Sequence, residues 1–433
     1  MLGILGILLI VTIVVVLFWG KFSPAVAFIL IPIGFAAVLG YNPIEINNMI
    51  HSGIGTTTNT ALLFMFSIPF FFIMNDVGAF NPIVKSLIRA SGGSHLRIAI
   101  FTVLLTMVAH LDGAGASTAL IVIPAMLPIY KKMNMRPHVL LFIIAMSSGI
   151  MNIVPWGGPT IRAAAIIGAD PSALWRTLIP IQVLGLVLSL VMAIFFGLRE
   201  KKFADKAIAH YANAPQVLES AQKENEEPML PTWRLLANWA LIIGIIAVLV
   251  HGELRAHVLF MFGTAIALLL NYPTMKQQSG SLDRAAKGVL TVVIVLLASG
   301  AFVGILDNTG MMQAVGEVVL SIIPEGAGRF YNLFIGFLAL PLTIFFGTDA
   351  YFFGLLPIIA EVGYALGFNP ETAANILITA HNSTVFVSPL TPAMFLMIGL
   401  AGVDLKEHLK FSLPWALVIG WFYIIFAFIT GII

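Results

Sequence analysis

Few residues in this chain are equipped for chemistry, and most of them fall in four short stretches. "HLDGAGASTAL", from His110 to Leu120, carries Asp112 with Gly113, Gly115, Ser117 and Thr118, and "FFGTDAYF" carries Gly347, Thr348 and Asp349. "MNIVPWGGPTIRA" holds Asn152, Gly157, Gly158, Thr160 and Arg162, while "HNSTVFVSPLTPA" holds Asn382, Ser383, Thr384 and Ser388. A carboxylate in such a place holds a cation or a proton, or caps a helix. Glycines let backbone close on a ligand, and hydroxyls and amides donate to an anion without burying a permanent charge. Arg162 is the one permanent cation in these stretches, placed to pair with a substrate carboxylate or with Asp170. His110 and His381 read either as packed histidines or as proton relays. Enzyme chemistry is not expected: there is no HExxH, no GxSxG followed by a plausible base, and no cysteine.

The surroundings of these stretches define their setting. Of 433 residues 59% are hydrophobic and 10% charged, which places the chain in a membrane rather than in water. Most apolar runs have the length of about 17 to 25 residues that crosses a bilayer as helix. Strand-type alternation is absent, so a barrel is not expected. A net charge of +2 gives no nucleic-acid footprint, and the absence of cysteine excludes disulfides and thiolate metal sites. The apolar start lacks a positive n-region and reads as the first membrane helix. A single long polar stretch, Arg199 to Arg234, serves as a linker between near-equal halves. Sliding the chain by 233 residues sets Pro124 on Pro357, Pro137 on Pro370 and Pro159 on Pro392; a slip to 234 sets Asp170 on Asp404 and Pro180 on Pro414. Prolines in register mark shared backbone breaks, and hence an internal repeat.

Each half reads alike. In the first, spans are expected over 2–19, 22–39 and 61–74, then an amphipathic arm over 80–90. The runs 98–109 and 119–129 are each too short to cross, so with the polar tip between them they form a re-entrant hairpin. The run 139–153 leads into the "VPWGGPT" break, and 173–198 spans. The second half repeats this with 235–250, 258–270, 289–306, an arm over 311–323, the "FFGTDAYF" tip, the "VSPLTPA" break and 411–432. Asp76 and Asp307 read as marking the helix ends where the arms begin, with a transport role as the alternative. Five crossings per half, an odd number, require the repeats to be inverted. The basic residues agree: all of the 22 lysines and arginines except Arg162, Arg176, Arg255 and Arg329 fall on one side if both termini lie outside and the linker is cytoplasmic.

The expected fold is therefore an all-α polytopic membrane protein of two inverted repeats, each with about five spanning helices, one re-entrant hairpin and a helix broken at the midplane. The expected organisation is a first repeat over 1–199, with scaffold 1–92 and transport part 93–199. A linker follows over 200–233, then a second repeat over 234–433, with scaffold 234–325 and transport part 326–433. Tips and breaks that meet at the midplane enclose a polar solute in secondary transporters, and their helix N-termini favour an anion. A polar pore would serve a channel instead, but paired hairpins in inverted halves favour alternating access.

"LDGAGAST", "GIMNIVPWGGPTIRA", "FFGTDAYFFGLLP" and "VSPLTPAMFLMIGLAGVDLKEHLKF" resemble the CitMHS family of citrate–metal/proton symporters, bacterial proteins of the larger ion transporter superfamily. The likeness covers essentially the whole chain, and "MNIVPWGGPT" and "FGTDA" are its specific signals. It implies proton-driven uptake of citrate or a related carboxylate across the bacterial inner membrane. It also implies an elevator-type homodimer with no resident cofactor, and Mg2+ or another divalent cation carried with the substrate. The residues of the four stretches would then bind substrate, with Asp112 and Asp349 holding the coupling ion or metal. Family tips often read LDGDGTTT where this chain has Ala114 and Ala116, which implies weaker metal binding. "AHNSTVFVSPLTPA" likewise replaces apolar residues with Asn382, Ser383 and Thr384. The alternative within the superfamily is a sodium-coupled carboxylate carrier or a cation/proton antiporter.

Overall fold

The computed structural model describes residues 2–19, 21–82, 86, 94–210, 231–251, 254–320, 330–388 and 391–433. Among the described residues there are 17 α-helices and no strand. The first half contains α1 (Leu2–Trp19), α2 (Pro24–Val38), α3 (Pro43–Asp76), α4 (His95–Ala109), α5 (Gly115–Lys132), α6 (Pro137–Met151), α7 (Gly158–Ile167) and α8 (Pro171–His210). The second contains α9 (Thr232–His251), α10 (Ala256–Asn271), α11 (Met275–Asn308), α12 (Met311–Leu320), α13 (Tyr331–Phe345), α14 (Leu356–Ala365), α15 (Pro370–Thr384), α16 (Pro392–Ala401) and α17 (Leu405–Ile429). The repeat is visible in helix lengths: α3 and α11 have 34 residues each, α6 and α15 have 15, and α7 and α16 have 10. Among the described residues six helices, α3, α4 with the turn after it, α8, α9, α11 and α17, are long and apolar enough to cross a membrane; the arm expected over 98–109 as too short to cross thus extends over His95–Asp112.

Helices α3 and α11 depart from the hydropathy reading, which placed spans only over 61–74 and 289–306. They begin instead at Pro43 and Met275. Asn42 caps α3 with a capping box to Glu45, and Pro43 occupies its first turn. The polar run that follows remains helical because its hydroxyls turn back on the helix: Thr56 Oγ1 donates to the Gly53 carbonyl at 2.7 Å and Thr58 Oγ1 to that of Ile54 at 2.8 Å. Small residues then let α11 approach, since a Cβ on Gly53 would lie 2.0 Å from the Gly300 carbonyl oxygen. Met49 lies by Gly304 and Thr57 by Gly300, so the two helices run antiparallel. They hold the same place in the two halves, and the repeats are therefore inverted.

The helices form two groups. In one, α3 and α11 make the centre, with α2 on α11, α10 on α3 and α1 on α12. In the other, the hairpins α4–α5 and α13–α14 pack around α6, α8, α15 and α17, and α16 lies on α5. The second arm is helical as α12, although its last residues, 321–323, lie outside the described residues, as do most of the first arm, 83–85 and 87–90. Helix α8 continues beyond the expected span to His210; residues 211–230 are not among those described. Glu200, in that extension, is buried because the backbone N–H and Nε of Arg136 both donate to it at 2.8 Å.

Candidate functional site

Helix α4 stops at Ala109 and passes through a 3₁₀ turn, His110–Asp112, to Gly113 at φ 71°. That left-handed backbone favours glycine and reverses the chain into α5. Asp112 turns inward on its own tip, its Oδ1 accepting from the Ala114 N–H at 2.8 Å with Ser117 beside it. This bond closes the turn of the tip, and α5 itself starts from Ala114 without a side-chain cap. The buried His110 joins the two arms, Nδ1 lying 2.7 Å from Thr118 Oγ1, and Asn152 of the first break lies beside the same ring. Trp156 Nε1 donates to the Leu111 carbonyl at 2.8 Å and so ties the tip to that break.

The first break follows from α6 ending at Met151 and the chain folding tightly: a Cβ on Gly157 would come within 1.9 Å of the Asn152 carbonyl oxygen. Thr160 Oγ1 holds the turn by donating to the Ile153 carbonyl at 2.7 Å, and α7 restarts at Gly158. In the second break α15 ends at Thr384 and α16 starts at Pro392, with residues 389 and 390 outside the described residues. Asn382 Nδ2 and Ser383 Oγ donate back to their own helix, to the carbonyls of Ile378 at 2.9 Å and Ala380 at 2.7 Å. Thr384 and Ser388 instead meet Thr343 of α13, at 2.6 Å between hydroxyls and 3.1 Å to the Thr343 carbonyl. Sequence reasoning missed Thr343; its signal was a lone hydroxyl in the apolar arm "LALPLTIFF". Helices α6 and α15 cross where a Cβ on Gly149 would stand 2.0 Å from the Asn382 carbonyl oxygen.

In the second tip α13 ends at Phe345, and a π-helical turn, Ala350–Leu355, leads into α14. Arg162 of α7 reaches this tip. Its Nε donates to Asp349 Oδ1 at 2.7 Å, and its Nη1 donates to the Gly158 carbonyl at 3.0 Å. Of the partners considered for Arg162, Asp170 is otherwise engaged, capping α8 through the Ala173 N–H. Gly347 closes the start of the turn by accepting from the Tyr351 N–H at 2.9 Å, with Thr348 between Gly347 and Asp349. The His381 ring lies against Tyr351 and Phe352, with centroids 5.3 and 5.2 Å away. At the other tip, Gly115 lies against Phe386 and Ala393, and His110 meets Phe386 edge-on at 5.3 Å. Each hairpin thus abuts a broken helix of the opposite half and also the broken helix of its own.

A cleft of about 360 Å³ opens between the two helix groups at the end of α7, lined by Thr56, Gly168, Asp307, Glu361, Tyr364 and Pro370. A second, of about 280 Å³, adjoins it at Asn59, Asp170, Arg255 and His257. Among the described residues no three His, Asp or Glu side chains gather to hold a metal unaided.

The CitMHS family model, described as citrate transporter, matches residues 7–380. A Bacillus subtilis (strain 168) protein named citrate transporter is 34% identical over 96% of both chains. The Mg(2+)/citrate complex secondary transporter of the same organism is also 34% identical, over 96% of this chain and 95% of the relative. Among solved structures, the Alcanivorax borkumensis YdaH transporter, described as having an unusual topology, superposes with a TM-score of 0.62 over 90% of each chain at 13% identity. That likeness is one of fold.

Proposed function

The chain belongs to the CitMHS family of citrate transporters, and from that premise we propose that it is a symporter carrying citrate, or a related carboxylate, with protons. The observation that carries this reading is the meeting of both hairpin tips with helix breaks of the opposite half. The N-termini of α5, α7 and α16 bring free N–H groups and positive dipole ends to that junction. Substrate carboxylates take Arg162 and the donors of Ser117, Asn152 and Thr348, while Thr118, Thr160, Asn382, Ser383, Thr384 and Ser388, whose side chains donate to the protein's own carbonyls, frame the site. The glycines at 113, 115, 157, 158 and 347 admit the ligand to backbone. Asp112 and Asp349 hold the coupling cation.

A specific observation favours cargo in the form of a metal complex: a relative 34% identical bears the name Mg(2+)/citrate complex secondary transporter. With no three-residue metal cluster among the described residues, a divalent cation would reach the site as a citrate chelate, completed by one carboxylate of the protein. In this reading 1–92 and 234–325 form the scaffold of a homodimer in the cell membrane, and 93–199 and 326–433 move past it as an elevator. Both termini lie outside and the 200–233 linker is cytoplasmic, as the lysine and arginine distribution favours.

Purified protein in liposomes tests the reading through uptake of labelled citrate. The expected outcome is uptake that follows the pH gradient and ignores sodium, with magnesium either required or raising the rate. Uptake driven by sodium alone would replace proton coupling with the sodium-coupled alternative. Citrate exclusion under every gradient would remove citrate.

A further inference from the structure

The two tip-to-break junctions are related by the internal repeat, yet they are chemically unlike. At the first tip Gly115 packs on Phe386 and Ala393, an apolar contact. At the second, Arg162 and Asp349 form an ion pair at 2.7 Å, with side chains only 19% and 26% exposed. The same 233-residue slide that aligns the prolines sets Arg162 on Phe395 and Asp349 on Ala116. The charged pair therefore has no counterpart in the other half, and the junction of the second hairpin alone is held by groups that another ion can replace. The other titratable group facing it is His381, which lies within electrostatic range of Arg162. The cleft between the helix groups is lined by Ile166 of α7, four residues on from Arg162, and by Pro357 and Ala360 of α14; neither residue of the pair lines it.

We propose that the Arg162–Asp349 pair is a latch that stands in for the cargo. A substrate carboxylate displaces Asp349 from Arg162, a cation takes the place of Arg162 on Asp349, and the second hairpin is released from α7. The inference rests on the carboxylate reading of the site and explains how coupling arises there. An anion alone leaves Asp349 facing low-dielectric surroundings unpaired, and a cation alone leaves Arg162 so; only both together keep the site neutral. The first hairpin, held to the opposite half by apolar packing and to its own break by the Trp156–Leu111 hydrogen bond, has no ion pair among the described residues for the cargo to replace.

The absence of cysteine makes the test direct. Gly347→Cys places a thiol on the second tip, where a Cβ meets no atom within 4 Å. Maleimide labelling of this variant in purified full-length protein reads the latch without any substrate. Adding Asp349→Asn or Arg162→Gln should speed labelling by about fivefold or more, the scale of a partly exposed ion pair. The double charge swap Arg162→Asp with Asp349→Arg should restore the slow rate. Labelled citrate binding then reads the exchange, with magnesium varied at fixed pH and pH varied without magnesium, so that metal and proton are told apart. Wild type should bind citrate more tightly with one of these cations. Asp349→Asn should bind it with that dependence gone, Arg162→Gln should lose at least tenfold in affinity, and the charge swap should not recover binding. Unchanged labelling in both single variants, or full cation dependence in Asp349→Asn, would overturn the latch. Fast labelling in the variants with no binding of citrate or other tricarboxylates to wild type would instead overturn the carboxylate reading.

Discussion

Gly149 shows how much one missing side chain decides. Any Cβ there would collide with the backbone of Asn382, which the other half of the chain supplies. Gly149→Val should therefore push α6 and α15 apart beside both breaks, at an overpacking cost of about 1–3 kcal/mol. The expected result is a lower melting temperature in detergent and uptake reduced at least tenfold. Gly244→Ala, in α9 where a Cβ meets nothing within 4 Å, should change neither measurement. Asp112 and Asp349 stand out in the sequence because carboxylates in apolar surroundings are conspicuous, but their partners do not. The pairing of Arg162 with Asp349 joins residues 187 apart. No local pattern encodes that contact, and Asp170, nearer in sequence, was the more visible partner.

Among the elements, α3 and α11 best separate what hydropathy can report from what it cannot. A hydropathy window registers where lipid-compatible residues run, so it locates 61–74 and 289–306. It is blind to the polar start of α11 and to the polar half of α3, where Thr56 and Thr58 bond to their own helix's carbonyls and Gly53 faces α11. Where α3 ends, Asp76 accepts from Arg284 of α11 at 2.6 Å and from the hydroxyl of Tyr272, in the turn between α10 and α11. Burial, then the hydrogen bond to Asp76, push the Tyr272 phenol from its ordinary 10.0 up to about 12. A raised folded-state pKa of this kind contributes stability that is complete below the unfolded value and lost as pH rises through the folded one. Thermal melts of the purified protein should accordingly lose a component of stability between pH 10 and about 12. Tyr272→Phe should be less stable than wild type at neutral pH and should lack that component; identical alkaline profiles would remove Tyr272 from the account.

For the whole molecule, the proposed elevator movement is testable at the cleft between the two helix groups. Thr56 of the central α3 and Ile167 of α7, a helix that packs chiefly on α15 of the second group, line the same cleft. In this cysteine-free chain, Thr56→Cys with Ile167→Cys should form a cross-link that abolishes citrate uptake in proteoliposomes, with activity restored by reductant. Undiminished uptake in the cross-linked protein would rule out relative movement of these groups. By itself the sequence determined the membrane setting, the two halves, the hairpins, the breaks and the family. Those properties are local: apolar run length, proline and glycine positions and short motifs are each read along the chain, and bilayer thickness converts them into spans. Tertiary structure alone decided which face of each helix meets which neighbour, that α3 and α11 cross through glycine, that Trp156 and Thr343 brace the tip and break, and that Arg162 holds Asp349. Those contacts join residues distant in sequence, α3 with α11 and Arg162 with Asp349 across the two halves, and they arise from packing between helices whose rotation about their own axes hydropathy leaves free.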